Sequence, residues 1–193
     1  ITRMSFAESY RTALLKALES VDTDKVETAI DWFREARDCG RQIFVCGNGG
    51  SATNASHFVS DVLKSASYGK PLRFRILALN DSLPTMTAYA NDLGYEYIFA
   101  EQLRNFARPG DLFMALSGSG NSRNVVEAMK AATELGCRTI ALTGRDGGRL
   151  GQLAMLNINV REPHMGRIED AHLAVCHMIC YCFVDGGEAE QAR

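Results

Sequence analysis

Two short stretches rich in glycine and serine are the first features of the sequence that could bind a ligand. Residues 47–52 read GNGGSA and residues 117–122 read SGSGNS. Serine hydroxyls, exposed backbone N–H groups and the dipole at a helix N-terminus together suit a phosphate dianion. Ordinary capping by Asn121 or Ser122 would explain one residue of the second stretch but not its three serines. The second stretch therefore favours one phosphorylated small molecule as the ligand.

The first stretch also fits the G-x-G-x-x-G/A pattern of dinucleotide-binding loops, although a strand-to-helix turn that needs small residues explains it too. The dinucleotide pattern requires an acidic residue about 20 residues further on, at the end of the next strand. The next apolar run ends with Asp81, about ten residues too late for that role. No lysine follows the second stretch at P-loop spacing, so a nucleoside triphosphate with magnesium is not expected. We therefore predict no nucleotide cofactor.

Apolar runs and helical periodicity alternate along the chain after two predicted N-terminal helices. The predicted strands cover residues 41–47, 74–80, 111–117, 138–144 and 154–160, and the predicted helices among and after them cover about 50–66, 84–91, 95–107, 124–136 and 167–184. Strands that are nearly continuously apolar and separated by helices indicate a parallel sheet covered on both faces. The predicted fold class is α/β, a three-layer α/β/α sandwich with a central parallel sheet plus N-terminal helices.

Both glycine- and serine-rich stretches directly follow a predicted strand and precede a predicted helix. In open α/β sheets, ligands collect outside the carboxyl ends of the strands. We therefore expect residues 47–51 and 117–122 to lie at one rim of the sheet and to form one site.

The composition is that of a globular protein, with 46% hydrophobic and 23% charged residues among 193. The net charge of −2 supplies no basic surface for nucleic acid and no polybasic membrane patch. The polar N-terminus does not fit a secretory signal, and no apolar run is long enough to span a membrane. Six cysteines without C-x-x-C spacing favour buried thiols in a reducing cytoplasm. Without repeats or linkers, we predict one domain over residues 1–193, with N-terminal helices in 1–40 and an α/β core in 41–193.

Five motifs follow one another in the order that they have in a known family. They are GNGGSA at 47–52, YANDLGY at 89–95, SGSGNS at 117–122, LTGRDGG at 142–148 and RIEDAHLAVCH at 167–177. On these motifs the chain resembles the phosphoheptose isomerases, a branch of the sugar isomerase (SIS) domain proteins, over nearly its whole length. The resemblance implies a flavodoxin- or Rossmann-like SIS domain. It also implies an aldose–ketose isomerase that converts sedoheptulose 7-phosphate to D-glycero-D-manno-heptose 7-phosphate through an enediol.

The resemblance further implies which residues bind the substrate. These residues come from three loops and one helix, and they are Asn48, Gly49, Gly50 and Ser51 in the first loop, Asn91 and Asp92 in the second, Ser117, Gly118, Ser119 and Ser122 in the third, and Glu169 in the last helix. The third loop would hold the phosphate. Gly118 stands where the family often has threonine, which removes one hydroxyl group from that loop.

A histidine and a glutamate one helical turn apart in the family match His57 and Asp61, and a glutamine and a histidine of the last helix match Glu169 and His177. These four positions bind zinc in some members and include the acid and base residues. Here they form a set of two imidazoles and two carboxylates, which suits Zn²⁺ or a similar divalent ion. We expect Asp61 and His177 to transfer protons, and all four residues to be candidate metal ligands.

Helical spacing favours a shared ligand for His57 and Asp61 but makes one less favourable for Glu169 and His177. His57 and Asp61 are four residues apart on a predicted helix and so share a face, although such pairs are common by chance. Glu169 and His177 are eight residues apart, about 12 Å along a helix, so one of them could lie outside the metal's ligands. A metal's ligands could not also serve freely as bases, and a metal-bound water would then move protons. His172 lies between Glu169 and His177, and we expect it to have a packing or structural role.

The family forms homotetramers whose active sites lie between subunits, so the resemblance implies the same assembly. The N-terminal helices carry Phe6, Tyr10, Trp32 and Phe33, which could pack between subunits. The same aromatic residues could instead belong to the core of one chain.

A second class of function is a non-catalytic SIS-domain protein that binds a partner protein, resembling the DnaA-initiator-associating protein. That relative lacks the carboxylate one turn after the first histidine and the histidine at the end of the last motif. Asp61 and His177 are present here and favour catalysis. A third class, a phosphosugar-sensing regulator, would need a DNA-binding domain, which we do not expect in this chain.

Overall fold

The computed structural model describes residues 4–186. Its elements in chain order are α1 (Phe6–Glu19), α2 (Thr23–Asp38), β1 (Gln42–Cys46), α3 (Gly50–Lys64), β2 (Arg75–Ala78), α4 (Leu83–Asp92), a 3₁₀ turn (Tyr95–Tyr97), α5 (Ala100–Phe106), β3 (Leu112–Ser117), α6 (Arg123–Glu134), β4 (Arg138–Gly144), α7 (Gly148–Leu153), β5 (Leu156–Val160) and α8 (Met165–Asp185). The five predicted strands are confirmed. The helix expected over 95–107 is instead a 3₁₀ turn followed by α5, consistent with the low helix propensity of tyrosine. Helix α7 is not expected from the sequence, because six residues beside glycines carry little periodicity.

The central sheet is parallel throughout, and its strand order is β2-β1-β3-β4-β5. In the register, Ile43 lies opposite Leu112 and Met114 lies opposite Ile140. Strand β3 is buried along its whole length, which explains its continuous apolar sequence before Ser117. The strand order reverses between β1 and β3, so the loops after these two strands are neighbours at one rim of the sheet.

Helices cover both faces of the sheet, which confirms the three-layer α/β/α sandwich. On one face, α2, α3 and α8 bury Phe33, Phe58 and Phe183. On the other face, α5 and α6 bury Leu103 and Met129. The helix after β1 and the helix after β3 therefore leave the sheet on opposite faces, and a crevice opens between their first residues.

The N-terminal helices pack against one face of this sandwich. Helix α1 starts with a capping box, in which Ser5 and Glu8 bond each other's backbone N–H groups at 2.9 and 3.2 Å. It contacts α8, and the Tyr10 hydroxyl donates to Asp170 Oδ2 at 2.8 Å. The aromatic side chains of these helices divide between core and surface, since Phe33 is fully buried whereas 83% of Phe6 is exposed.

All six cysteines are free thiols, and Cys46, Cys137, Cys176 and Cys180 are buried, as the apolar runs around them predict. Among residues 4–186, no helix combines the length and apolar character that crossing a membrane requires.

Candidate active site

The two glycine- and serine-rich loops meet through a pair of amide side chains. We call residues 47–51 loop A and residues 117–122 loop B. Asn48 Nδ2 donates to Asn124 Oδ1, and Asn124 Nδ2 donates to Asn48 Oδ1, each at 2.8 Å. Asn48 belongs to loop A, and Asn124 lies in the first turn of α6, directly after loop B, with 2% of its surface exposed. The structure therefore brings the two loops together at the crevice, as the sequence predicts.

Loop A presents bare backbone at the start of α3. Gly49 precedes the helix with φ +55°, a conformation that favours glycine, and no side chain in residues 4–186 caps this helix. At Gly47, a Cβ atom would lie 2.6 Å from the backbone of Ser51, so any larger residue would push the turn apart. Ser51 N and Ala52 N donate to the Asn48 carbonyl at 2.9 and 3.3 Å, so within the described residues the N–H groups of Gly49 and Gly50 are the ones left for a polar ligand.

Two serine hydroxyls of loop B hold its turn through backbone hydrogen bonds, and Ser117 is buried whereas Ser119 is partly exposed. Ser117 Oγ accepts from the backbone N–H of Gly120, and Ser119 Oγ accepts from the backbone N–H of Asn121, both at 3.2 Å. A hydroxyl that accepts from the backbone still has its own proton to donate. Loop B can therefore offer O–H donors to a phosphate without breaking its internal hydrogen bonds.

Capping does not account for loop B. Ser122 occupies the cap position of α6, yet within the described residues its side chain makes no cap bond. The Asn121 side chain is used elsewhere, since its Nδ2 donates to Ser119 O at 3.0 Å and its Oδ1 accepts from Arg149 N at 3.1 Å. Apart from Val125 N, which donates to Asn124 Oδ1 at 3.0 Å, the first N–H groups of α6 have no side-chain acceptor within the described residues and can bind an anion.

A third loop, residues 144–148, supports loop B from behind. The Gly120 carbonyl accepts from Leu150 N at 2.8 Å, and Gly120 itself has φ +65°. A Cβ atom on Gly120 would lie 2.1 Å from the Gly147 carbonyl oxygen. The glycines of the motif at 142–148 thus allow close backbone contact that holds loop B in place.

Gly118 departs from the threonine expected at this position, and the structure shows what fills the space. A Cβ atom at Gly118 would lie 2.4 Å from Met165 Sδ and 3.4 Å from Ile168 Cγ2. The first turn of α8 therefore packs directly against loop B, and the methionine occupies the volume that a side chain at 118 would need.

Three titratable side chains form a compact group between α3 and α8. His57 Nε2 lies 3.2 Å from Asp61 Oδ2, and His177 Nε2 lies 3.4 Å from the same oxygen. The two Nε2 atoms are 3.3 Å apart. His57 and Asp61 lie one turn apart on α3, as their spacing predicts, and α8 supplies His177. All three ligand atoms lie within 4.8 Å of one another, close enough to hold one metal ion.

The donor atoms of this group suit a divalent ion. Asp61 Oδ2 is buried, and no N–H or O–H group in residues 4–186 is oriented to donate to it. Two imidazole nitrogens and one carboxylate oxygen are ligands that Zn²⁺ takes in proteins. Solvent reaches the group through an open groove along α3, which Thr53, Ser60 and Asn80 help to line.

Glu169 does not join these three residues in the described part of the chain. Its carboxylate lies against the start of α3, where a Cβ atom on Gly50 would be 2.5 Å from it. The separation follows from helix geometry, because eight residues set Glu169 and His177 about 12 Å apart along α8. The positive end of the α3 dipole favours a carboxylate at that position. The four-residue metal set expected from the resemblance is thus a three-residue group, with Glu169 beside loop A.

The middle motif contacts loop A through a residue that the sequence analysis does not assign. Asn91 Nδ2 donates to Asp92 Oδ1 at 2.8 Å, at the end of α4. Three residues later, the Tyr95 hydroxyl donates to Asn48 Oδ1 at 3.1 Å. The sequence also gives no reason to place Asn124 in the site, except that it is a polar amide among apolar residues at the start of α6. Both residues act on Asn48 and so shape the site.

His172 has the structural role that its sequence position suggests. It is fully buried, and its Nε2 lies 3.0 Å from the carbonyl oxygen of Thr143. Burial lowers the pKa of His172 to about 4, so the ring is neutral near neutral pH. The contact joins α8 to the end of β4.

Comparison with known proteins agrees with this geometry. The SIS domain family model matches residues 6–144. The chain is 39% identical over 186 residues to the phosphoheptose isomerase of Alteromonas mediterranea, an alignment that covers 95% of this chain and 92% of that protein. It is 40% identical to the phosphoheptose isomerase of Akkermansia muciniphila, with 86% of each chain covered.

Solved structures of phosphoheptose isomerases are also similar to this chain. A phosphoheptose isomerase from Neisseria gonorrhoeae superposes with a TM-score of 0.82 at 35% identity, covering 92% of this chain and 94% of that one. A phosphoheptose isomerase from Francisella tularensis gives a TM-score of 0.84 at 26% identity, covering 91% and 94%. The NanR protein of Vibrio vulnificus, at 16% identity and a TM-score of 0.69, shares the fold.

The amide pair gives the first testable prediction. Replacing Asn124 with alanine removes the acceptor of Asn48 Nδ2 and leaves Asn48 Oδ1 with the Tyr95 hydroxyl, and we expect the free energy of unfolding to fall by about 1–3 kcal/mol. The matched change Tyr95→Phe removes one hydrogen bond to the same oxygen and should cost about 0.5–1.5 kcal/mol. Urea denaturation measures both effects, and calorimetric titration with inorganic phosphate should show weaker binding by Asn124→Ala.

A double-mutant cycle with Asn48→Ala provides the control. Because the two amides act as a unit, the double variant should be little less stable than either single variant. Full additivity of the two losses, or unchanged stability of Asn124→Ala, would show that the pair does not hold the loops.

Proposed function

The chain belongs to the phosphoheptose isomerase branch of the SIS domain family, and from this premise we propose that it interconverts sedoheptulose 7-phosphate and D-glycero-D-manno-heptose 7-phosphate. Membership makes it an aldose–ketose isomerase acting on a phosphosugar. The heptose is the finer step of the proposal, and the names of its relatives support it. One observation carries the proposal, namely that loop A meets loop B through the Asn48–Asn124 pair and leads into α3, which carries two members of the histidine–aspartate–histidine group.

The phosphate end of the substrate is assigned to loop B. The hydroxyls of Ser117, Ser119 and Ser122 and the first N–H groups of α6 donate to the phosphate oxygens. Gly118 contributes backbone alone. Asn48 at loop A then lies beside the sugar chain, with Gly49, Gly50 and Ser51.

The sugar end is assigned to α3, α4 and α8. Moving a carbonyl group between C1 and C2 requires a base that carries a proton between these carbons through an enediol, and donors that polarise the two oxygens. Asp61 and His177 are the proton-transfer residues of this proposal, since Asp61 Oδ2 and His177 Nε2 are 3.4 Å apart. Glu169, Asn91 and Asp92 contact the sugar hydroxyls.

A metal ion is part of the proposal because the donor set fits one. His57, Asp61 and His177 would hold it. A divalent ion supplies polarisation of the substrate oxygens when it is bound. Side chains that coordinate an ion do not transfer protons freely, so the metal content of the protein decides between the two roles of Asp61 and His177.

The proposal also includes an oligomeric state and a cellular location. We assign the chain to a homotetramer with active sites between subunits, which the family supports, and the exposed Phe6 of α1 offers apolar surface for such contacts. Free, mostly buried thiols fit the reducing cytoplasm.

Turnover with and without His177 tests the proposed reaction. We expect the purified protein to convert sedoheptulose 7-phosphate and to incorporate solvent deuterium at C1 or C2. His177→Ala should lower kcat by about 10²- to 10⁴-fold with unchanged folding, because it removes a proton-transfer group. His164→Ala, at the start of the same helix, is the matched control and should retain wild-type turnover. A folded wild-type protein without turnover would favour the partner-binding class instead.

Zinc binding gives a separate prediction. Protein purified without chelator should contain a divalent ion, and zinc at about 100 times its Kd should raise the free energy of unfolding by about 2.7 kcal/mol. His57→Ala should abolish that stabilisation because it removes a ligand. Glu169→Gln should retain it, since Glu169 lies beside loop A. Thermal unfolding and metal analysis measure these effects, and full activity in ion-free, EDTA-treated protein would rule the metal out.

A further inference from the structure

A second polar groove borders loop B on the side away from loop A. It lies at the carboxyl ends of β4 and β5, where ligands of parallel sheets collect. Ser119 and Asn121 of loop B line one part of it, and Arg145 and Arg161 line another. The backbone N–H of Arg145 donates to the carbonyl of Glu162 at 3.3 Å, which keeps the exits of β4 and β5 side by side.

The carboxylates of this groove are already engaged within the protein. Asp146 Oδ1 accepts from Gly148 N at 3.1 Å. Glu162 Oε1 accepts from His164 N at 2.8 Å and from the Arg167 guanidinium at 2.7 Å, and the bond from Arg167 lowers the pKa of this carboxyl. Glu162 is therefore neutralised by Arg167, whereas Asp146 keeps its charge, so the two arginines leave the groove with a net positive charge.

The arginines themselves have no protein partner in the part of the chain that the structure describes. Residues 4–186 contain no hydrogen bond or ion pair from the side chain of Arg145 or Arg161. Lys25, in the adjoining groove that shares these two arginines, instead donates to the Asn157 carbonyl at 3.1 Å. Two guanidinium groups without a hydrogen-bond or ion-pair partner among residues 4–186 therefore line one groove.

The backbone of Arg145 has a left-handed conformation that is uncommon for a residue with a long side chain. It is the only non-glycine residue among residues 4–186 with a positive φ, at 54°. Glycine adopts that conformation without steric cost, and an arginine there is strained. A glycine at position 145 would remove this strain, but the residue there is an arginine with a long cationic side chain.

From this groove, we propose that Arg145 and Arg161 form a second phosphate-binding site beside loop B, for a phosphomonoester group. Guanidinium groups match phosphate oxygens through paired N–H donors. Loop B contains no lysine or arginine, so its own donors are neutral and the nearby guanidinium groups supply the missing positive charge. The phosphate could belong to the entering substrate or to a second phosphorylated molecule, and the first of these rests on the proposed function.

Calorimetric titration with inorganic phosphate tests the site without reference to catalysis. Arg145→Gln/Arg161→Gln should weaken phosphate binding by about tenfold, because two charge-assisted contacts are lost. Arg11→Gln/Arg73→Gln carries the same change in net charge at exposed positions away from the groove and should bind phosphate as the wild type does. Arg145→Gly should fold at least as well as the wild type, since it relieves the positive φ, and still bind phosphate more weakly.

Steady-state kinetics then separates the two sources of phosphate. If the substrate's own phosphate uses the site, KM rises about tenfold in Arg145→Gln/Arg161→Gln while kcat changes much less. If a second molecule uses it, the wild type shows phosphate inhibition that saturating substrate does not relieve, and the variant loses that inhibition. Either result supports the site. Phosphate affinity equal to that of the Arg11/Arg73 control overturns it, even when the protein shows no isomerase activity.

Discussion

The reciprocal amide pair of Asn48 and Asn124 is the contact on which the rest of the site depends. It lies where the strand order reverses, between β1 and β3, so the helices that follow leave on opposite faces of the sheet. Without a bridge, the crevice at this point would separate loop A from loop B. Two hydrogen bonds of 2.8 Å, buried at Asn124, join the loops and fix the distance between them.

Helix α8 supplies Glu169 and His177, and its contacts with α3, β4 and loop B fix its position. Asn54 of α3 donates to the Glu169 carbonyl at 2.9 Å, which aligns α8 with α3 and sets His177 opposite His57 and Asp61. His172 joins the same helix to β4. Met165, in its first turn, packs against Gly118 of loop B. One helix therefore contacts loop B and the start of α3 and supplies one residue of the candidate metal group.

The sequence predicts those features that follow from local patterns. The five strands, the parallel sheet and the position of both loops follow from apolar runs interrupted by glycine and serine, and the sharing of one face by His57 and Asp61 follows from a spacing of four. Contacts that depend on packing do not have such a pattern. Asn124 and Tyr95 become site residues only because tertiary structure brings them to Asn48. Glu169 separates from the histidines because two turns of α8 lie between them.

A crystal structure of the protein with bound sedoheptulose 7-phosphate would show whether loops A and B and the three titratable residues bind one molecule. We expect an arrangement with the phosphate within hydrogen-bond distance of the loop B serines and the first N–H groups of α6. The same arrangement has C1 and C2 of the sugar beside Asp61 and His177, with the Asn48–Asn124 pair intact between the two ends. A phosphate bound away from loop B, or a sugar chain directed away from α3 and α8, would contradict it.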